Sequence, residues 1–210
     1  MTMMQHVENG GPVMWVMVFI SVLAAALFVH KLLQLHRAQI QAADFLQGLY
    51  NVLRRGNTAE AVAICEDTPG PVAHMVRAAI LKVEDSPEEI AKAIQQAGLM
   101  EIPRMEHRLN LLATLGKIAP MLGLLGTVIG LMNVMHSLQA AAPLGHVEDL
   151  AGGMWKALLT SAAGLTVAMP IYAGYNLLVS RIESLVLDME FAGSDILAFL
   201  VSNRKLYVED

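Results

Sequence analysis

The feature that most constrains this chain is a set of three long apolar stretches without Asp, Glu, Lys or Arg, at residues 13–29, 118–138 and 157–180. A helix needs about 20 apolar residues to cross the hydrocarbon core of a bilayer. The chain is 55% hydrophobic and 16% charged, whereas about a quarter of the residues in an ordinary soluble domain are charged. The sequence therefore predicts an all-α integral membrane protein with three transmembrane helices and long helical extensions into the cytoplasm, with the helices at residues 13–35, 118–138 and 157–180.

The distribution of Lys and Arg predicts the orientation of these helices. Ten basic residues lie from Lys31 to Lys117 and three follow the third stretch, whereas none precedes the first and only Lys156 lies between the second and third. Basic residues favour the cytoplasmic side, and the lack of charge before the first stretch is not typical of a cleaved signal peptide. The rest of the chain is therefore predicted to form a periplasmic N-terminal tail, a cytoplasmic helical region, a periplasmic loop with the start of helix three, and a cytoplasmic C-terminal helix, at residues 1–12, 36–117, 139–156 and 181–210.

Local signals in the cytoplasmic region predict several helices. Asn57 with Glu60, and Ser86 with Glu89, have the spacing of a capping box, in which a side chain accepts the backbone N–H three residues later. Pro87 directly after Ser86 favours a helix start. Residues 68–71, which read TPGP, are predicted to be a loop between helices.

The apolar pattern before the second span predicts one long helix. From about Leu99 the apolar residues recur at helical spacing and continue into the span. Pro103 and Pro120 are expected to kink this helix rather than end it. The C-terminal tail is predicted to be a second amphipathic helix, interrupted at Gly193-Ser194.

Small residues form one stripe along the second span. They fall three or four positions apart and therefore share a helix face, at Gly116, Ala119, Gly123, Gly126, Gly130 and Asn133. Small residues let membrane helices approach closely, and Gly126–Gly130 has the GxxxG spacing that does so. The stripe, with Gly164 in the third span, is predicted to pack helices. It fits contacts within one subunit, and it also fits a tight ring of subunits around a narrow centre.

Hydroxyl side chains are the polar groups that could serve ion transport. Thr127 in the second span and Thr160 and Ser161 in the third could line a water-filled path, or could only bond the carbonyl one turn back. Neither span contains a carboxylate, although intramembrane carboxylates commonly mark proton paths. If the chain conducts protons, a partner must therefore supply the titrating group. Pro170 is expected to kink the third span.

The sequence excludes several other classes of function. The net charge of −5 and the lack of Lys/Arg clusters give no footprint for nucleic acid. The motifs HExxH, GxSxG and CxxC are absent, and the glycines lack the Lys of a phosphate-binding loop. The seven histidines show no metal-ligand spacing, and Cys65 is expected to be a small buried apolar side chain. No catalytic residue, metal or cofactor is predicted.

Two motifs resemble those of the ExbB/TolQ/MotA proton channel family, and most closely the ExbB type. Residues 112–130 read LATLGKIAPMLGLLGTVIG and are similar to the family's second-helix signature. The third-helix signature resembles LAGG at 150–153, ALL at 157–159, AAGL at 162–165, and the positions of Pro170 and Tyr175-Asn176. The close resemblance extends over residues 109–180.

This resemblance implies a ring-forming channel subunit of a motor in the bacterial inner membrane. It implies a homopentamer around two copies of a single-span ExbD/TolR-type partner, whose aspartate binds the proton. Proton flow would then energise outer-membrane transport through a TonB/TolA-type transducer. The family's pore-lining threonine positions fall on Thr127 and Ser161, with Thr160 beside the latter.

Three questions stay open from the sequence alone. A passive membrane scaffold without ion conduction is the alternative to a motor subunit, and hydroxyl linings suit protons or sodium. The family's glutamate at the start of the third span falls on Lys156, which is predicted to lie at the pore mouth. Lys156 could pair with Glu148 or Asp149, or could extend to the headgroups beside Trp155.

Overall fold

The computed structural model describes residues 11–38, 42–140, 147–204 and 207, and these residues are helical apart from short connections. Its helices are α1 (Pro12–Ala38), α2 (Ala42–Leu53), α3 (Thr58–Asp67), α4 (Pro71–Ile80), α5 (Pro87–Glu106), α6 (Leu109–Ala140) and α7 (Val147–Ser202). They form two compact units. Unit one contains α1 as far as His30, α6, and α7 as far as Leu177. Unit two contains residues 31–107 and the chain from Leu178 onward.

The predicted capping signals are confirmed. The Asn57 side chain accepts the backbone N–H of Glu60 at 3.2 Å, and its amide donates to the Glu60 carboxylate at 2.8 Å. The Ser86 hydroxyl accepts the N–H of Glu89 at 3.3 Å, and Pro87 follows it in the first turn of α5. The TPGP loop also lies where it is predicted, since Gly70 has a φ of 134° that an L side chain rarely adopts. The two side-chain bonds mark where α3 and α5 begin, and α4 begins directly after Gly70.

The prediction of one long helix from Leu99 through the second span is wrong. Pro103 lies inside α5, but that helix ends at Glu106, and α6 starts afresh at Leu109. Between them Arg108 has a φ of 69°, the only positive φ at a non-glycine among the described residues. The break lies where unit two gives way to unit one, so α5 and α6 bury their apolar faces in different cores. Periodicity runs through the break because both helices need an apolar face.

The predicted interruption of the C-terminal tail is also wrong. α7 runs without a break through Gly193 and Ser194 to Ser202. A side chain at Gly193 would meet Ile94 of α5, with Cβ about 3.0 Å from Cγ2. Gly193 therefore lies where α5 and α7 pack closely. The close contact offsets the low helix propensity of glycine.

Unit two has an ordinary buried core. Its fully buried residues come from α2, α3, α4, α5 and α7, including Leu49, Leu53, Cys65, Val76, Ile80, Ile90, Ile196 and Leu200. The rings of Tyr50 and Phe199 stack with centroids 4.3 Å apart, and the Tyr207 hydroxyl donates to the Leu53 carbonyl at 2.8 Å. Cys65 is buried as predicted. Burial raises the pKa of its thiol to about 11, and the nearby positive charge of Arg77 offsets part of this rise.

The apolar helices of unit one carry large exposed side chains. Among the described residues, two stretches are long and apolar enough to cross a membrane, Pro12–His36 and Pro87–Gln139, the second of which covers α5 and most of α6. The outward face of α6 exposes Met121, Leu124, Val128, Met132 and Met135. Such a surface is costly in water and is normal where lipid or another membrane helix covers it. The third predicted span is not among the two stretches and stays a prediction.

Candidate functional site

The small-residue stripe of α6 faces α7 of the same chain. A Cβ at Gly164 of α7 would lie 2.8 Å from the Ala119 carbonyl oxygen and 2.9 Å from the Gly123 Cα. Backbones therefore touch at this point, and only glycine fits. A Cβ at Gly130 would lie 2.8 Å from that of Ala157, which continues the contact toward the start of α7.

Thr160 lies at the centre of this helix pair. Its side chain is 2% exposed and packs on Gly126, where an added Cβ would lie 2.5 Å from the Thr160 Oγ1. The hydroxyl donates to the carbonyls of Ala157 at 2.9 Å and Lys156 at 3.1 Å. Within one chain Thr160 is thus a packing residue with its polar group satisfied by the backbone.

Ser161 makes the hydrogen bond that joins the two helices. Its hydroxyl donates to the Gly123 carbonyl of α6 at 3.3 Å, and the residue is half-buried. Carbonyls inside a helix already accept one bond, so this is a second, weaker acceptor use of the same oxygen. The oxygen of the Ser161 hydroxyl therefore keeps its lone pairs for a further donor, and the residue is only half-buried. A residue that served packing alone would need neither.

Thr127 lies next to the close-packed stripe. It is half-buried, and its hydroxyl donates to the Leu124 carbonyl of its own helix. Thr127 and Ser161 lie on the two facing helices, beside Gly126 and Thr160 respectively. The structure thus brings Ser161 onto α6, and gives Thr127 a local bond rather than a bond to Ser161.

The remaining predicted site residues lie along the same two helices. Pro120 and Pro170 are inside α6 and α7, and neither ends its helix. Lys156 is exposed in the third turn of α7. The side chains of Glu148 and Asp149, its predicted partners, lie outside those that the structure describes.

The packing of α1 on α7 was not predicted from the sequence. A Cβ at Gly174 would lie 2.9 Å from a ring carbon of Phe28, so α1 crosses α7 at this glycine. The signal was present, because a mid-helix glycine costs about 1 kcal/mol unless a close approach uses it. At the same end of unit one, the guanidinium of Arg108 lies 3.3 Å from His30 Nε2, which accepts in the tautomer that carries its proton on Nδ1.

These features define a class: helical proteins whose apolar runs pack closely, carry hydroxyl groups and hold no carboxylate, here at residues 118–138 and 157–180. A family model described as the MotA/TolQ/ExbB proton channel family matches residues 67–191, which is more than half of the chain. The chain therefore belongs to this family, and the resemblance read from its two helix signatures is confirmed.

Some of the relatives are named ExbB and others are named TolQ. The biopolymer transport protein ExbB of Neisseria meningitidis is 24% identical over 94% of this chain and 96% of its own length. The Tol-Pal system protein TolQ of Haemophilus influenzae is 34% identical over 50% of this chain, and that of Pseudomonas aeruginosa is 33% identical over 59%. The matched segments span about half the length of these two TolQ proteins, 47% and 52% respectively.

Proposed function

We propose that this chain is the ring-forming channel subunit of an inner-membrane motor driven by the proton motive force. The observation that carries the proposal is the α6–α7 pair, in which glycines bring two helices into backbone contact and Ser161 bonds across them. Its hydroxyls could organise water, but its apolar runs hold no carboxylate. A proton path through it needs a titrating group from a partner.

The proposed partners follow from that missing carboxylate. A single-span ExbD/TolR-type subunit would bring an Asp into the centre of a homopentamer of this chain. A TonB/TolA-type transducer would carry the work to the outer membrane. One charge crossing 100 mV releases about 2.3 kcal/mol, so a substantial mechanical step requires several protons.

The proposed arrangement has three membrane spans, with the N-terminus in the periplasm and the C-terminus in the cytoplasm. The third span would be the uncharged run 157–180 of α7. At 1.5 Å per residue its 24 residues extend about 36 Å, enough for a core about 30 Å thick. Lys156 would then lie at the outer mouth of the path.

The proposal is tested by proton flux through Thr127→Val. Valine has nearly the shape of threonine but no hydroxyl, so assembly should persist while flux falls by about tenfold or more if the hydroxyl lines the path. The measurement is the uptake of protons or of sodium into liposomes that contain this chain and its single-span partner, under an imposed potential. Thr166→Val is the matched control, because its hydroxyl also donates to a backbone carbonyl of its own helix, at 2.8 Å.

A passive scaffold is the second candidate, and one observation favours it. Thr127 and Thr160 both satisfy their hydroxyls with backbone carbonyls, which is the commonest use of such residues in membrane helices. If the chain is a scaffold, the assembled wild-type complex shows no potential-driven flux, or the flux through the complex is the same for Thr127→Val as for the wild type. Either result would reject ion conduction through this site.

A further inference from the structure

Unit two has an apolar groove between α5 and the C-terminal part of α7. Its volume is about 410 Å³, within the range of ligand-binding sites in proteins. Met75 and Met189 form its floor, and Ile94 and Leu99 line the α5 side. Leu99 is 61% exposed, which is unusual for a leucine beside a formed core.

Two glycines and the methionines give the groove its shape. A Cβ at Gly193 of α7 would lie 3.0 Å from Ile94, and one at Gly98 of α5 would lie 3.5 Å from the sulfur of Met75. α5 and α7 therefore approach each other closely at Gly193. Neither glycine places a side chain in the groove. Methionine is flexible and polarizable, and it commonly lines surfaces that adapt to a partner helix.

The rim of the groove is acidic. Glu190 is exposed and lines it, and Glu183 lies seven residues earlier on the same face of α7. Of the four acidic residues from Leu178 to Ser202, Glu183 and Glu190 lie on the groove side of α7, and Asp188 and Asp195 lie on its far side. On α5, the exposed Lys92 is outnumbered by Glu88 and Glu89. An occupant should therefore be apolar on one face and basic at its edges.

We propose that this groove binds a basic amphipathic helix from another protein. The groove extends along α5 from Ala91 to Ile102, about 16 Å, which fits roughly three turns of a bound helix. Apolar side chains at positions i, i+3 or i+4, and i+7 would enter the groove, and flanking Lys or Arg would meet Glu190 and Glu183. A second copy of this chain docking by the same face, about a two-fold axis, would set Glu190 against Glu190, which like-charge repulsion opposes. A neighbour in a ring would present a different face, and the crosslink below distinguishes it. The proposal is independent of ion conduction.

A photo-crosslinking amino acid at Ser194, on the rim, tests the proposal in growing cells with the full chain. The expected product joins Ser194 to a segment of a different protein that mass spectrometry shows to be basic and amphipathic. Glu190→Lys should lower the yield by at least about tenfold, because it turns attraction into repulsion. Asp195→Lys makes the same charge change on the far side of α7 and should leave the yield unchanged.

Four outcomes would overturn the proposal. One is a crosslink to a second copy of this chain, and another is no crosslink above that of the unmodified protein. The third is a partner segment that is acidic or uncharged, and the fourth is a yield that Glu190→Lys does not lower. Both charge variants lie at exposed positions, and an unchanged melting temperature of each purified variant assigns any loss of yield to binding.

Discussion

At the scale of single residues, the glycines of α6 and α7 have different amounts of space beside them. Gly126 faces Thr160 so closely that an added Cβ would overlap it, whereas Gly152 has nothing within 4 Å. Both lie inside helices. Alanine at Gly126 would therefore change both the packing and the helix propensity, whereas alanine at Gly152 would change the propensity alone. The propensity favours alanine over glycine by about 1 kcal/mol.

The first prediction compares alanine at these two glycines. Gly126→Ala should lower the free energy of unfolding by about 1–3 kcal/mol, because overpacking forces the helices apart. Gly152→Ala should leave it equal or higher, because only the propensity changes. Reversible unfolding of the purified protein in mixed detergent measures both. Equal stability of the two variants would mean that α6 and α7 do not touch at Gly126.

The second prediction concerns Lys156, which is exposed near the start of α7. In a ring, five ammonium groups at the pore mouth would oppose cation entry unless carboxylates neutralise them. We therefore expect Lys156→Met to change proton flux, Lys156→Glu to change it in the direction of faster entry, and an exchange of Lys156 with Asp149 to restore it. If all three variants conduct like the wild type, Lys156 only extends to the headgroups.

At the scale of helices, the sequence predicted where helices begin better than where a helix continues without a break. Asn57 and Ser86 were found because a cap is a local bond between residues three apart. The break at His107–Arg108 was missed because apolar periodicity continues across it and no Gly or Asn marks the left-handed position. The glycine stripe could be recognised from its spacing, but its partner, α7 of the same chain, could not, since spacing carries no information about what covers a face.

The third prediction isolates the backbone strain at Arg108. A left-handed conformation costs an L residue about 1–2 kcal/mol, costs glycine almost nothing, and is worst for β-branched residues. Arg108→Gly and Arg108→Val both remove the guanidinium from His30, so their difference excludes that contact; glycine's greater freedom in the unfolded chain acts against the expected order. Arg108→Gly should be more stable than Arg108→Val by about 1–2 kcal/mol in free energy of unfolding. Equal stability would indicate that α5 and α6 join without a left-handed residue.

At the scale of the whole molecule, family membership rests on a segment that includes parts of both units. The match covers residues 67–191, which contain α4 and α5 of unit two as well as α6 and much of α7. The resemblance noticed in the sequence covered only 109–180, because its motifs are the helix-packing glycines and hydroxyls. Orientation in the membrane stays a prediction, and it rests on the distribution of Lys and Arg.

The last prediction tests that orientation with introduced cysteines. Native Cys65 gives little background, since it is buried and its pKa is about 11, so roughly one thiol in a thousand is ionised at pH 8. Gln139→Cys, at the exposed end of α6 that is predicted to be periplasmic, should react with a membrane-impermeant maleimide in intact cells. Gln96→Cys on the exposed face of α5 should react only after the inner membrane is permeabilised, because α5 lies in the basic segment that is predicted to be cytoplasmic. Equal labelling of the two after permeabilisation shows that both thiols are accessible. The reverse order in intact cells would invert the topology, and would place the acidic groove of unit two in the periplasm.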